Sequence, residues 1–343
     1  MTKQISILRN LGLLAGALPY LVLPSLACAA GAQYTSFDPP SSLETVPESV
    51  NAYGDVTGHY YDSGSHSYRG FVRGHDGTIA VFDPPGSTET YPNGINDQGT
   101  ITGQFRDAAS AAHAFIRSSK GKITVFDVDQ AKSTGALAIN RKGVVMGHYV
   151  TVGAHGYLRA TDGRITTFDV PDSGLTAPAA LNDENDVTGF WDDNNNGSQH
   201  GFVRSADGTF AKFDPAGSHQ TNPTAINKQG DVVGYYYGDD QIHGFFRKAD
   251  GTTTTLDLPQ SGLTYPFGID RKGEVAGEYI DEAKGYTVRG FLRTRSGKFK
   301  AFDAFDSNFT DPHSIVTMSD GSSAITGAYQ DSSGTWHGFL RIQ

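Results

Sequence analysis

Cysteine is nearly absent from this chain. Its 343 residues include a single one, Cys28. No intrachain disulfide can therefore form, even in an oxidising compartment. The lack of cysteine and the dispersed histidines also exclude the usual structural zinc sets. The fold must be stabilised by side-chain packing and strand pairing.

Helical periodicity and common catalytic motifs are also missing. No stretch carries a sustained 3.6-residue apolar period, and glycine is abundant at turns. There is no Gly-x-Ser-x-Gly elbow and no phosphate-cradling glycine loop. Basic residues are the minority, 27 against 37 acidic ones, and no basic cluster is visible along the chain. Nucleic acid is therefore not an expected partner.

The first 32 residues differ from the rest and indicate a secretory signal peptide. Lys3 and Arg9 precede an apolar run from Leu11 to Leu26, and small residues follow it. We expect cleavage near Ala29 or Ala32. Cleavage would change the net charge from −10 to −12, because one lysine and one arginine are lost with no acidic residue. The expected location is secreted or periplasmic.

Two other interpretations of this segment are less favoured. A membrane anchor would need a longer apolar run, so no membrane span is expected after cleavage. A lipoprotein anchored through Cys28 would need an apolar residue where Ser25 stands.

A repeat of about 44 residues fills the remainder of the chain. Two motifs recur in each repeat: a Phe-Asp or Leu-Asp dipeptide, and a strand of the form His/Arg-Gly/Ala-aromatic-x-Arg. The dipeptides begin at Phe37, Phe82, Phe126, Phe168, Phe213, Leu256 and Phe302. The strands begin at Arg69, His113, His155, His200, His243, Arg289 and His337.

Each repeat holds four strand signals joined by tight turns, A to D in chain order, which predicts an all-β, seven-bladed β-propeller with four antiparallel strands per blade. The propeller should occupy residues 33–343 as one domain. The predicted blades span about 39–83, 84–127, 128–169, 170–214, 215–257, 258–303, and 304–343 together with 34–38.

The two ends of the repeat region predict how the ring closes. The chain stops at Gln343, just after strand C of the seventh copy, whereas Tyr34–Asp38 is a strand D with no A, B or C before it. Donating this segment to the last blade would remove two exposed sheet edges. A linear solenoid is the alternative, but neither end has the form of a cap.

The His113-Ala114-Phe115 strand, the Ile-Asn-x-x-Gly turn and the exported context resemble the HAF-repeat family of bacterial extracellular proteins. The resemblance covers residues 34–343. It implies an exported repeat protein and supplies no catalytic residues.

Residues that recur in every blade are interpreted as scaffold. The His or Arg that opens strand C should pair with the strand D Asp across a short hairpin, because buried charges need partners. An aromatic residue after the strand B glycine should pack between blades. These aromatics are Tyr60, Phe105, Tyr149, Trp191, Tyr236, Tyr279 and Tyr329.

Residues that vary between blades at the loop face are the candidate site, because binding residues concentrate on loops. Blades 7 and 1 bring acid and imidazole groups to one sector of the channel mouth, and these are also the acid–base candidates: Glu48, His59, Asp311 and His313. The full ligand-binding set is Glu48, His59, Tyr91, Asn93, Asn222, Tyr235, Tyr265, Glu278, Asp311, His313 and Trp336.

One loop has a pattern typical of calcium sites. Asp192, Asn194 and Asn196 alternate as in the first half of a calcium loop, followed by Gly197. The carboxylate expected at position twelve is missing, since Val203 stands there. An ordinary Asn/Asp/Gly turn explains the same residues, so calcium is a possible cofactor only.

We expect non-catalytic recognition of an extracellular ligand, most plausibly a carbohydrate, because aromatic rings near polar groups suit sugars. One alternative is a polysaccharide-cleaving lyase or hydrolase that uses the same mouth. The other is a cell-surface scaffold that binds an envelope protein.

Overall fold

A computed structural model describes residues 31–194, 197–238, 241–259 and 261–343. The signal peptide predicted for the first 32 residues therefore lies almost entirely outside the described residues. From Ala32 to Gln343 the chain forms one compact unit. None of its described helices has the length and apolarity needed to cross a membrane.

The described residues form 28 strands in seven blades, as the sequence predicts. The first strand, β1 (Gln33–Phe37), stands apart from blade 1. Blades 1 to 3 comprise β2 (Ser42–Val50), β3 (Val56–Asp62), β4 (Ser67–Arg73) and β5 (Ile79–Phe82); β6 (Glu89–Ile95), β7 (Ile101–Arg106), β8 (Ala112–Arg117) and β9 (Ile123–Phe126); and β10 (Ser133–Ile139), β11 (Val145–Val150), β12 (Ala154–Arg159) and β13 (Ile165–Phe168).

Blades 4 to 7 repeat this A-B-C-D order, and blade 7 takes its fourth strand from the N-terminal end. Two 3-10 turns lie in the B–C loop of blade 6, Glu282–Lys284, and in the crossing from blade 6 to blade 7, Ala304–Asp306. The strands are β14 (Ser173–Leu181), β15 (Val187–Asp193), β16 (Gln199–Arg204) and β17 (Phe210–Phe213); β18 (Gln220–Ile226), β19 (Val232–Gly238), β20 (Gln241–Arg247) and β21 (Thr253–Thr255); β22 (Ser261–Ile269), β23 (Val275–Asp281), β24 (Thr287–Arg293) and β25 (Phe299–Phe302); and β26 (Thr310–Thr317), β27 (Ser323–Gln330) and β28 (Trp336–Ile342).

The predicted closure is confirmed. β1 pairs antiparallel with β28, from Gln33 opposite Ile342 to Phe37 opposite Gly338. The described residues also form seven hydrophobic clusters, one at each blade junction. The cluster that joins blades 7 and 1 contains Phe37 and Leu340 with Tyr60 and Phe71. The ring of blades is therefore continuous in its packing as well as in its closing strand.

Recurrent strand C residues tie neighbouring blades together. The last arginine of strand C places its guanidinium 4.7 to 5.2 Å from an aromatic ring of the preceding blade. This ring is normally the strand D Phe; where Leu256 replaces it, Arg293 stacks on Phe246 instead. The seven pairs are Arg73–Phe37, Arg117–Phe82, Arg159–Phe126, Arg204–Phe168, Arg247–Phe213, Arg293–Phe246 and Arg341–Phe302.

The predicted strand C to strand D pairing is present in all seven blades. The imidazole Nδ1 lies 2.6 to 2.9 Å from the Asp carboxylate in the five histidine blades. In the other two, Arg69 and Arg289 place Nε 2.7 Å from Asp83 and Asp303. Several of these aspartates also accept a hydrogen bond from a fully buried strand A threonine of the next blade, as Asp214 does from Thr221 at 2.6 Å. These His–Asp–Thr sets are structural, because the hydroxyl is inaccessible.

A second repeated network lines the turn face, which carries the A–B and C–D hairpins. A buried Asn ends strand A, and its Oδ1 accepts backbone N–H groups of its own turn. Its Nδ2 donates to the equivalent backbone carbonyl of the next blade, from Asn51 to Asn96, Asn140, Asn182 and Asn227. In blade 6 the residue is Asp270, which accepts from Thr317 of blade 7 at 2.5 Å. One end of the channel is thus a near-uniform hydrogen-bonded ring.

Candidate functional site

The loop face, which carries the B–C loops and D–A crossings, holds the other mouth of the central channel. A cavity of about 400 Å³ lies there. Its lining residues come from blades 1, 4, 5, 6 and 7: Glu48, Ala179, Phe190, Asn222, Pro223, Thr224, Tyr235, Phe267, Asp311 and His313. The sequence-predicted residues Glu48, Asn222, Tyr235, Asp311 and His313 are therefore brought to one place.

A β-bulge in strand A aims side chains into this mouth. In every blade the register shifts just after the strand A proline position, as between Pro47 and Ser49. The extra residue is Glu48 in blade 1 and His313 in blade 7. A bulge leaves one residue unpaired and turns its side chain, and proline is tolerated there because no ladder N–H is needed.

The strand B glycine opposite the bulge is required by space. A Cβ on Gly58 would lie 2.1 Å from the carbonyl oxygen of Val46 and 2.7 Å from Pro47 Cα. The same close approach recurs in the other blades, for example at Gly277 and Gly327. The repeated strand B glycine therefore permits the bulge, which also forms in blade 3 where Ala136 replaces the proline. The variable residue that follows the proline position determines the chemistry of the mouth.

Acid and imidazole groups from blades 7 and 1 form a connected cluster. His313 Nε2 lies 3.0 Å from Asp311 Oδ2, and His313 Nδ1 lies 3.5 Å from Glu48 Oε2. His59 Nδ1 lies 3.6 Å from the other oxygen of Glu48. Both Nδ1 atoms are buried and face the Glu48 carboxylate at ion-pair distance, without a close hydrogen bond to a described residue. Glu48 is thus shared between the two histidines.

The neighbouring blade 6 supplies a second acid. The Glu278 carboxyl lies close enough to Asp311 for the two to interact electrostatically, and its Oε2 is buried without a hydrogen-bond partner among the described residues. Burial, together with the charge of Asp311, raises the pKa of Glu278 to about 8. The protonated form of Glu278, which can donate a hydrogen bond, is therefore favoured.

The pKa values of the other ionisable groups in the cluster are shifted in different directions. Burial opposes the charge on His313, but hydrogen bonds to Asp311 and Glu48 outweigh it and hold its pKa well above the usual value. Burial likewise opposes ionisation of Glu48, yet the two histidines bring its pKa below normal. Burial lowers the pKa of His59. The surroundings thus favour the charged forms of His313 and Glu48 and the neutral forms of His59 and Glu278.

Aromatic side chains flank this cluster on both sides. On the blade 1–2 side, His59 meets Tyr68 and Tyr91 edge-to-face with ring centroids 5.4 and 5.2 Å apart. On the blade 5–6 side, Tyr235 meets Tyr265 at 5.0 Å, and Tyr265 stacks on Phe267 at 6.2 Å. The charged sector therefore lies between two groups of rings.

Two predicted ligand-binding residues are engaged elsewhere. Asn93 donates from Nδ2 to the backbone carbonyl of Ala136 in blade 3 at 2.8 Å. Trp336 packs edge-to-face on Phe309, with ring centroids 4.9 Å apart, and is not among the residues that line the cavity. Both side chains have a structural contact that is sufficient to explain their position.

Tyr68 was not selected from the sequence, although its ring reaches His59 and Tyr91. It occupies the position just before the strand C His or Arg, the same position as Trp336 in blade 7. Comparing that position across all blades would have identified it.

Only part of the calcium loop is described. Asn196 lies outside the described residues. Asp192 sits in β15 opposite Gln199, and the turn closes through Gly197 N–H donating to the Asp193 carbonyl at 2.8 Å. Among the described residues, no group of three His, Cys, Asp or Glu side chains is placed to hold a metal ion. Calcium at Asp192 and Asn194 stays a prediction.

Similar solved structures are β-propellers. A catalytically inactive variant of virginiamycin B lyase from Staphylococcus aureus, determined with quinupristin, has a TM-score of 0.60 and 13% identity, over 90% of this chain and 99% of that one. The β-propeller domain of the Trilobed protease from Pyrococcus furiosus, described as having an open velcro topology, gives a TM-score of 0.60 and 10% identity, over 87% and 95%.

A lectin from Burkholderia pseudomallei gives a TM-score of 0.51 and 11% identity, over 86% of this chain and 97% of that one. No family model and no curated protein matches the sequence. At these identities the likeness establishes the propeller fold alone, and one fold carries many unrelated functions.

Proposed function

We propose that this chain is a ligand-recognition module that binds a carbohydrate at the loop-face mouth. The observation that carries the proposal is the cluster of Glu48, Glu278, Asp311 and His313, with unpartnered buried polar atoms, between two groups of aromatic rings. Rings stack on the C–H faces of sugars, and the polar groups exchange hydrogen bonds with hydroxyls.

The charge of the cluster favours neutral or amino-bearing sugars. Three acidic side chains, Glu48, Glu278 and Asp311, surround His313, the one histidine of the cluster whose pKa is raised. Acidic polysaccharides would meet repulsion there as well as from a chain of net charge −10. Binding of neutral glycans should therefore exceed binding of uronic acid polymers.

The test is a panel of neutral and acidic glycans, read for both binding and cleavage. We expect the double variant D311A/H313A to weaken binding at least about tenfold, because it removes charge-assisted hydrogen bonds. The matched control is H75A/D76A, which replaces two adjacent exposed residues of the blade 1 C–D hairpin on the turn face. The conservative variant D311N keeps the site testable if the double variant misfolds. Unchanged binding in a folded D311A/H313A or D311N protein would refute the site.

A second function, cleavage of a polysaccharide, has one specific observation in its favour. Glu278 is a buried carboxyl group with a raised pKa, unpartnered at Oε2 and close to Asp311, and such a pair of acids suits general acid–base catalysis. New reducing ends, or the absorbance of an unsaturated uronide, would support it. The variant E278Q should then abolish turnover while retaining binding. Co-purification of an envelope protein without glycan binding would favour the scaffold alternative instead.

A further inference from the structure

A second cavity lies on the opposite, turn face at the junction of blades 5 and 6, with a volume of about 420 Å³. Five cationic side chains line it, against Asp231 as the one carboxylate among its described lining residues. The cations are Lys248, Arg271, Lys272, Arg293 and Arg295. They come from three hairpins that are separated in sequence. The basic cluster therefore forms only in the folded chain, although none is visible along the sequence.

These cations are neutralised only in part within the protein, where Lys248 and Lys272 interact electrostatically with the exposed Asp250 and Asp320. Arg271 and Lys272 donate to backbone carbonyls of blade 7, those of Met318 and Gly321. Arg293 places its guanidinium over the ring of Phe246. Among the described residues, none of the five forms an ion pair with a carboxylate. Asp231 accepts hydrogen bonds from Asn227 and from the Ala249 backbone, so it is already engaged.

The cations of the A–B turns in blades 3 and 5, on the same face, are paired. Arg141 Nε lies 2.9 Å from Asp97 and 3.6 Å from Asp183, which belong to the turns on either side. Lys142 and Lys228 both reach Glu184, at 3.4 and 3.8 Å. The junction of blades 5 and 6 therefore departs from the pattern of its neighbours.

A substitution in the C–D hairpin of blade 6 contributes to the excess. Blades 1, 4 and 5 place an aspartate of this hairpin near the strand C arginine, as Asp250 is near Arg247. In blade 6 the equivalent position is Ser296, directly after Arg295. The hairpin has thus lost its own carboxylate and gained a cation.

We propose that this cavity binds an oxyanion, a phosphate or sulfate carried as the free ion or as the ester group of a small molecule. Arginine presents N–H donors in a fork that matches tetrahedral oxyanions, and lysine adds a mobile positive charge. A bound anion would offset the mutual repulsion of these five neighbouring cations. This site does not depend on the carbohydrate proposal, because it occupies the other face.

The test is calorimetric titration of the full chain with sodium sulfate, sodium phosphate, glucose 6-sulfate and glucose 6-phosphate at low, constant ionic strength maintained with chloride. The variant K248Q/R295Q removes two exposed cations whose side chains form no hydrogen bond with a described residue, so it should fold normally. We expect its affinity for the oxyanions to fall about tenfold or more, because charge-assisted hydrogen bonds are lost.

The matched control is R164Q, an exposed cation on the C–D hairpin of blade 3, which should leave the affinity unchanged. Tighter binding of the esters than of the inorganic ions would assign the ligand to a phosphorylated or sulfated small molecule, and equal binding would assign it to the free ion. No binding by the unaltered chain, or equal binding by K248Q/R295Q, would overturn the proposal.

Discussion

Strand A of each blade contributes to both ends of the central channel. The residue type at the turn-face end is nearly constant from blade to blade, whereas at the loop-face end it varies. At the turn face, strand A ends in Asn in five of the seven blades, and those amides are joined from blade to blade. At the loop face, the bulge residue changes from Glu48 to Thr224 to His313. One end is therefore used to hold the ring together, and the other is free to carry chemistry.

The difference has a physical cause. An amide that satisfies its own turn and its neighbour's carbonyl leaves several buried groups unpaired if it is replaced. A bulge residue is already outside the strand ladder, so its replacement breaks no ladder hydrogen bond, although Asn93 and Thr224 each donate to a carbonyl of the next blade. Substitutions at the two ends should therefore separate stability from binding.

The largest effect is expected from opening the ring. A chain that begins at Pro39 lacks β1, the buried Phe37 ring and Asp38, which pairs with His337. Because domain stability is only about 5–15 kcal/mol, losing a strand and a buried aromatic should abolish the cooperative unfolding transition. Calorimetry and circular dichroism would measure this. A chain that begins at Gln33 is the control, and equal transition temperatures would show that β1 is dispensable.

The next effect tests the uniform end directly. Asn182 is buried, accepts from the Glu184 and Asp186 N–H groups and donates to Asp186 Oδ2 and the Asn227 carbonyl. Asn182→Ala should lower the unfolding free energy by about 3 kcal/mol, since buried donors lose their partner. Denaturant titration would measure it.

Asn222→Ala is the matched control at the variable end, because the Asn222 side chain lines the mouth and forms no hydrogen bond with another described residue. Asn222→Ala should lower the free energy of unfolding by less than about 0.5 kcal/mol and alter ligand binding. Asn182→Ala should leave ligand binding intact. Similar losses of stability in both variants would remove the distinction between the two ends.

The same distinction explains how much could be predicted from the sequence. The blade number, the closing strand and the His–Asp pairs recur or complete a recurring unit, so their roles follow from repetition. The bulge could not be predicted, because it arises from how Pro47 faces Gly58 in three dimensions. The engagement of Asn93 and the packing of Trp336 depend on contacts between blades.

The smallest expected effect concerns the proton on Glu278. Its pKa is raised to about 8 in the folded chain and returns to about 4.5 on unfolding, so the folded state holds a proton that the unfolded state has released. The free energy of unfolding should consequently fall as pH rises from 4.5 to 8 and level off above pH 8. The reason is that the folded state binds more protons, so a rise in pH destabilises it relative to the unfolded state. Solvent in the open mouth screens part of this electrostatic effect, so the free energy of unfolding should change by about 2 kcal/mol.

The variant E278Q removes this proton and should flatten that part of the curve, measured by denaturant titration from pH 5 to 8.5. His313, whose pKa is also raised, contributes a decline above pH 6.5 that both chains share, so the difference between the curves isolates Glu278. Parallel curves would mean that Glu278 is ionised at neutral pH. The mouth would then carry one more negative charge, and neither hydrogen-bond donation nor acid catalysis by Glu278 could operate there.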